Sequence, residues 1–376
     1  VREGAAERHD RLLNLVRERG TVRVADLATH LGVSPVTARR DAEALAARGL
    51  LDRAHGSVSW PERRGPAGTA PGGGSPVIGM LAPAAGYYFQ DIIRGAHEAA
   101  ARLGARLILR VSDYRPEDDA SHAAGLLAAG AQGLLVAPSW TGPEHPARYA
   151  EWIARLPVDT VLVERTGEPG GPLDGLDRVS SDHAHGVLIA VRHLVRLGHG
   201  TPVLVARSDS PTGQAVRSGY AQALDALGLG AVAPVLDSTP AVRDPGRFEE
   251  AALTLHRLVR EGRATAALMH NDEDATRMVR RLAELGCHVP GDLALVTYDD
   301  EVAALADTPL TAVAPPKRAV GRSAAELLIE RLTADEDERD APRRHLELLP
   351  ALRVRQSCGA AAAARAGRAP APVHPA

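Results

Sequence analysis

Arg39 and Arg40 stand in the stretch "VSPVTARRDAEALAARGLLDRAHGSV", residues 33–58. An arginine guanidinium is a fixed fork of donors that can pair with a guanine edge or neutralise a phosphate. On a helix opening at Pro35, Ala38, Ala42 and Leu45 share one face, while Thr37, Arg40, Asp41 and Ala44 share the opposite one. Arg39 falls between the faces, in reach of a phosphate or of Glu43 four residues on. A short helix with a polar, arginine-bearing outer face fits the recognition helix of a helix-turn-helix. Other chemistries are poorly supplied. His183 and His185 have metal-like spacing but no third ligand. Cys287 and Cys358 match no metal spacing and read as free thiols of a reducing compartment. No nucleophile elbow, phosphate loop or metal constellation appears, so no enzyme, cofactor or metal is expected.

Three helices and a hairpin must position those arginines. Leu12, Leu13 and Val16 mark one helical face. Val24, Leu27, Ala28 and Leu31 recur at amphipathic spacing and predict a second helix ending at Gly32. Ser34 is a good N-cap, and Pro35 suits the first helical position of a third helix running to about Arg48. "LLDRAHGSVSW" reads as two short strands around His55-Gly56, a wing whose Arg53 and His55 touch the backbone or minor groove. By pattern alone, a plain three-helix bundle with a charged surface is an equal reading.

Residues 61–76, "PERRGPAGTAPGGGSP", form a Pro- and Gly-rich flexible linker. From Val77, apolar strand-like runs alternate with helical stretches, first to about residue 180 and then again to about Asp300. That predicts an α/β fold with parallel sheets covered by helices, in two similar lobes with a cleft at the strands' carboxyl ends. The end, residues 358–376, is low-complexity and expected to be disordered.

Residues 8–58 closely resemble the winged helix-turn-helix of DeoR-type regulators, most specifically in "VSPVTARRDAEAL…GLLDRAHGSV". Ser57 departs from the family's usual glycine in the wing. The resemblance implies contacts to double-stranded operator DNA from Ser34, Pro35, Thr37, Arg39, Arg40, Arg53 and His55. From Val77 to about Ser357 the chain instead resembles the effector-binding domain of lac-repressor and galactose-repressor proteins, related to periplasmic sugar-binding proteins. The carrying residues include "YYFQDIIRGAHEAAARLG", "VSSDHAHGVLIAVRHLVRLGH", "ALMHNDEDATRMVRRLAELGCHVPGDLALVTYDD" and "LTAVAPP". The headpiece and hinge helix of those repressors are absent; the winged helix (residues 1–60) and linker replace them.

That second resemblance implies effector contacts from Tyr88, Phe89, Glu164, Arg165, Arg217, Asn271 and Asp299. An aromatic covers a ring face, carboxylates and an amide accept from hydroxyls, and Arg donates. Arg165 reads equally as a structural partner, Asp272 reads as a helix cap, and Trp140 reads as a second stacking platform or, with slight preference, as rim packing. The expected protein is a ligand-controlled repressor, a homodimer with a carbohydrate effector. The rival is a solute-binding protein of a transport system.

The 376 residues carry 24% charged side chains and a net charge of −3. Residues 1–64 hold twelve Arg against nine Asp and Glu, net +3, so the remainder carries −6. The sign at the start favours an anionic partner. Lys317 is the only lysine, which reads as compositional bias. No apolar run is long enough to cross a membrane. The first twenty residues lack the apolar region of a secretory leader, so a cytoplasmic protein without membrane contact is expected.

Overall fold

The structure is a computed structural model that describes residues 11–13, 15–16, 21–47, 52–54, 57–59, 75–140, 150–167, 169–230, 235–240, 243–335 and 341–360. The chain divides into two compact units, Val1–Gly73 and Gly74–Ala376.

In the first unit, residues 11–13 and 15–16 are helical. Strand β1 (Thr21–Arg23), helices α1 (Val24–Leu31) and α2 (Pro35–Ala47), and strands β2 (Asp52–Ala54) and β3 (Ser57–Ser59) follow. Leu12, Val16, Leu27, Leu31, Ala38, Ala42, Leu45 and Val58 bury together, the faces that helical spacing predicts. Gly32, at φ +66°, ends α1 in the left-handed region that glycine adopts without cost. β3 pairs antiparallel with β2, as the hairpin predicts, and also with β1, which the sequence pattern did not mark. Asp41, expected on the outer face, is only 7% exposed.

The second unit is a pair of α/β lobes. The first lobe holds β4 (Val77–Ala82), α3 (Tyr88–Arg102), β5 (Arg106–Val111), α4 (Pro116–Ala128), β6 (Gly133–Val136), α5 (Glu151–Ala154), β7 (Asp159–Val163) and β8 (Asp177–Ser181). The second holds α6 (His183–Arg196), β9 (Val203–Ala206), α7 (Pro211–Ala226), β10 (Val235–Leu236), α8 (Pro245–Arg260), β11 (Ala266–His270), α9 (Asp272–Glu284), β12 (Ala294–Tyr298) and β13 (Thr311–Ala314). The chain then returns. Helix α10 (Lys317–Thr333) packs on α3, and β14 (His345–Leu348) pairs with β8 in the first lobe, before β15 (Ala351–Arg353) pairs with β13 in the second. The sheet orders are β14-β8-β7-β6-β4-β5 and β10-β9-β11-β12-β13-β15, parallel except for β15.

Three crossings therefore join the lobes, after Ser181, Ala314 and Leu348. Strands such as β4, β6, β11 and β12 are almost wholly buried, as expected of parallel strands covered on both faces. At the α3–α10 contact the backbones nearly touch: a Cβ on Gly321 would lie 1.9 Å from the Ile92 carbonyl oxygen. Cys358, expected in the tail, is 1% exposed in the second lobe's core, because Ser357 Oγ anchors it to β12 through the Leu295 carbonyl at 2.6 Å. The described chain runs through residue 360; residues 361–376 and 61–74 lie outside it.

Candidate functional site

On the first unit, Ser34 is exposed and caps α2: its Oγ accepts from the Thr37 amide at 3.1 Å and lies 2.9 Å from Thr37 Oγ1. That satisfies one of the free amides at the helix start. Pro35 is the first helical residue. Arg39 and Arg40 are both exposed, while Ala38 and Ala42 of the same helix are buried. Arg53 sits in the middle of β2, opposite Val58 of β3. His55 lies outside the described residues. The geometry thus presents two arginines on a short capped helix, held by a packed core.

On the second unit, two cavities of 420 and 540 Å³ are lined by residues of both lobes. Each falls within the size range of a small-molecule site. The smaller receives Tyr87, Tyr88 and Phe89 from the start of α3, with Asn271 and Asp299 from the second lobe. Tyr88 and Phe89 pack edge to face at 5.6 Å. Burial pushes the Tyr88 hydroxyl well above its ordinary pKa, so it stays neutral. Asn271 Oδ1 caps α9 by accepting from the Asp274 amide at 3.2 Å. Asp299 is 1% exposed and lies 3.3 Å from the Lys317 ammonium.

The larger cavity receives Trp140, Glu164, Ser181 and His183. Burial opposes the charge on Glu164. His183, at 3.5 Å, and Ser181, whose Oγ donates at 2.8 Å, outweigh it and hold the carboxyl below its usual range. Arg165 borders both cavities. Its Nε and Nη1 donate to the carbonyls of Pro138 at 3.0 Å and Glu164 at 2.7 Å, and burial lowers its pKa. Glu164 and Asp299 have φ of +54° and +76°. Left-handed backbone at non-glycine residues is costly and gathers where a site needs it.

Six of the seven effector residues expected from the sequence line these cavities. Arg217 does not. Its Nη2 and Nε donate to the Ala206 and Arg207 carbonyls, the latter at 3.1 Å, so the guanidinium pins the end of β9. Arg207 lines the smaller cavity instead, in a two-bond pair with Asp209 at 2.8 and 3.1 Å. Asp272 is not the cap either. Its Oδ2 collects the amides of Glu301, Val302 and Ala303 at 2.6–3.0 Å, and its Oδ1 accepts from Tyr87 at 2.5 Å. Asp182 does cap α6, through the His185 amide at 2.8 Å. Trp140 is no rim residue: it is 3% exposed and its Nε1 has no partner.

Tyr87, His270, Arg207 and Asp209 are lining residues that the sequence reading passed over. Burial pushes the His270 pKa down to about 3, so its imidazole is neutral, and its Nδ1 has no partner. All four follow or end a strand at the cleft side, a signal available once β4, β9 and β11 are placed. The two lobes also touch through Lys317. Its ammonium bonds Glu301 at 2.6 Å and lies 4.3 Å over the Tyr88 ring. Burial works against its charge, but Asp299 and Glu301 prevail and raise its pKa. Among the described residues no cluster suits a metal ion.

Known proteins share both the head and the lobes. Residues 8–64 match the DeoR-like helix-turn-helix domain, and residues 191–358 match the periplasmic binding protein-like domain. The arabinose metabolism transcriptional repressor of Geobacillus stearothermophilus is 25% identical over 81% of this chain and 83% of its own. The repressor PurR of Vibrio atlanticus is 26% identical over 72% of this chain and 79% of its own. Among solved structures, the lac repressor dimer bound to operator and the anti-inducer ONPF superposes with a TM-score of 0.60 at 21% identity. It covers 75% of this chain and 94% of that one. The transcriptional regulator CelR–cellobiose complex gives 0.60 at 23%, over 86% and 91%. The fold is thus a helix-turn-helix head joined to a two-lobed periplasmic-binding-protein-like domain.

Proposed function

We propose that this chain is a DNA-binding transcriptional repressor whose operator affinity is set by a small carbohydrate held between its two lobes. The observation that carries the reading is the pair of cavities walled from both lobes by aromatics, carboxylates and arginines, in a chain that also presents exposed Arg39 and Arg40 on a short helix. Relatives named as an arabinose metabolism transcriptional repressor and as the transcriptional repressor PurR support it. A transport protein has no use for a helix-turn-helix over residues 8–64.

The physical basis is a population shift. Tyr87–Asp272 and Lys317–Glu301 join the lobes across the cleft. A ligand that contacts both walls binds best when they are close, and it favours that lobe arrangement by its difference in affinity. In a homodimer assembled through the α/β lobes, a change of lobe angle alters the separation of the two heads. Couplings of this kind amount to roughly 1–3 kcal/mol, or 5–150-fold in affinity. The α2 helix enters the major groove, with Arg40 on a base edge or phosphate, and the β2–β3 wing lies against the backbone.

The test is selection of bound duplexes from a random pool by the full chain, then titration of the selected duplex with and without saccharides. A site of two repeated halves, whose affinity shifts at least fivefold with one saccharide, is the expected result. Binding that ignores both sequence and saccharide contradicts the reading.

A further inference from the structure

The two cavities share Arg165, Pro211 and Thr212 and are otherwise lined by different residues. Each volume alone suffices for one small ring. Each has its own aromatic wall and its own carboxylate: Phe89 with Asp299 on one side, Trp140 with Glu164 on the other. We propose that the cleft takes a disaccharide, one sugar ring in each cavity, with the linkage passing Arg165 and the first turn of α7. The inference rests on the saccharide reading above and specifies its size.

Trp140 carries the argument furthest. A buried indole N–H without an acceptor is costly. Trp140 is 3% exposed, its Nε1 has no partner, and it lines the larger cavity. A second ring beside it supplies both a face for the indole and a hydroxyl oxygen for the N–H. At the other end, His270 offers a neutral imidazole whose Nδ1 is likewise unpartnered, 3% exposed and lining the smaller cavity. Trp140 Nε1 belongs to the larger compartment and His270 Nδ1 to the smaller, so a ligand that partners both extends through the two. At the junction, the Arg165 guanidinium is fixed by the Pro138 and Glu164 carbonyls. Thr212, in the first turn of α7, lines both cavities from the other lobe.

The experiment is titration calorimetry of the full chain against glucose, galactose, xylose and arabinose, and against cellobiose, maltose, lactose and xylobiose. One disaccharide should bind at least tenfold more tightly than either of its component sugars. Because the chain has three tryptophans, binding is also read by emission. Trp140→Phe should lower disaccharide affinity several-fold, by a larger factor than it lowers that of either component sugar, and remove the ligand-induced emission change. Ala215→Phe, on the half-buried α7 wall of the larger cavity, should abolish the preference for two rings without disturbing the Trp140 core. A monosaccharide that binds as tightly as every disaccharide containing it overturns the proposal, as do variants that weaken one- and two-ring ligands alike. If neither size binds, the saccharide reading itself fails and this inference falls with it.

Discussion

Asp274 lies in the first turn of α9, 1% exposed, with Oδ1 accepting from Arg277 at 3.0 Å and Oδ2 unpartnered. Burial raises its pKa from 3.8 to about 6. The folded state therefore holds this proton more tightly than the unfolded chain does. The stability it contributes is complete below pH 3.8 and is lost as pH rises through 6. Asp274→Asn mimics the protonated form, so the variant should exceed wild type in stability at pH 8 by on the order of 1–3 kcal/mol. The two should converge by about pH 4; urea unfolding at both pH values checks it, and a variant equally or less stable at the higher pH refutes the sign. At the head, exposed Arg40 makes a cleaner probe. Arg40→Ala should weaken operator binding by roughly 1–3 kcal/mol while the melting temperature holds. Single residues were legible where chemistry and position coincide. Asn271 and Asp299 end strands whose apolar runs are plain in the sequence, and both line the cleft. Arg217 misled because its type suits a ligand, whereas its direction is set by the Ala206 and Arg207 carbonyls, which spacing does not reveal.

Helix α10 meets α3 through Gly321 and Gly95, where an added Cβ would lie 1.9 Å and 2.0 Å from facing carbonyl oxygens. Alanine is favoured over glycine inside a helix by about 1 kcal/mol. Here the clash must push the helices apart, and overpacking costs roughly 1–3 kcal/mol or more. Gly321→Ala should therefore lower the midpoint of denaturation; an unchanged or raised midpoint would mean the contact gives way freely. The head's helices were readable to within a residue, since α1 and α2 carry both apolar spacing and clear stops. Strand β1 was not, because three residues are too few to show alternation. Nor was the return of α10 and β14 to the first lobe. A β-α-β pattern reports local periodicity alone. Which sheet receives the strand is decided by packing partners far away in sequence, such as Asp177 beneath Arg331, 154 residues apart.

At the scale of the whole molecule, the two compact units divide near Gly73. If the chain is a dimer assembled through the lobes, as proposed, a chain lacking residues 1–74 should sediment as a dimer and keep its ligand affinity while losing all operator binding; sedimentation as a monomer at micromolar concentration would contradict that proposal. The central claim is that the cleft, not the head, decides when DNA is held. Asp299 is the residue to ask, because it lines the cavity, pairs with Lys317 across the lobes, and belongs to the second unit. Asp299→Asn keeps its shape and removes its charge. The measurement is fluorescence anisotropy of a labelled operator titrated with the full chain, wild type and Asp299→Asn, across a range of the saccharide that binds. The account predicts that the variant still binds operator without saccharide, and that its response is displaced to at least tenfold higher saccharide concentration. A variant that responds at the wild-type concentration would place the controlling ligand elsewhere.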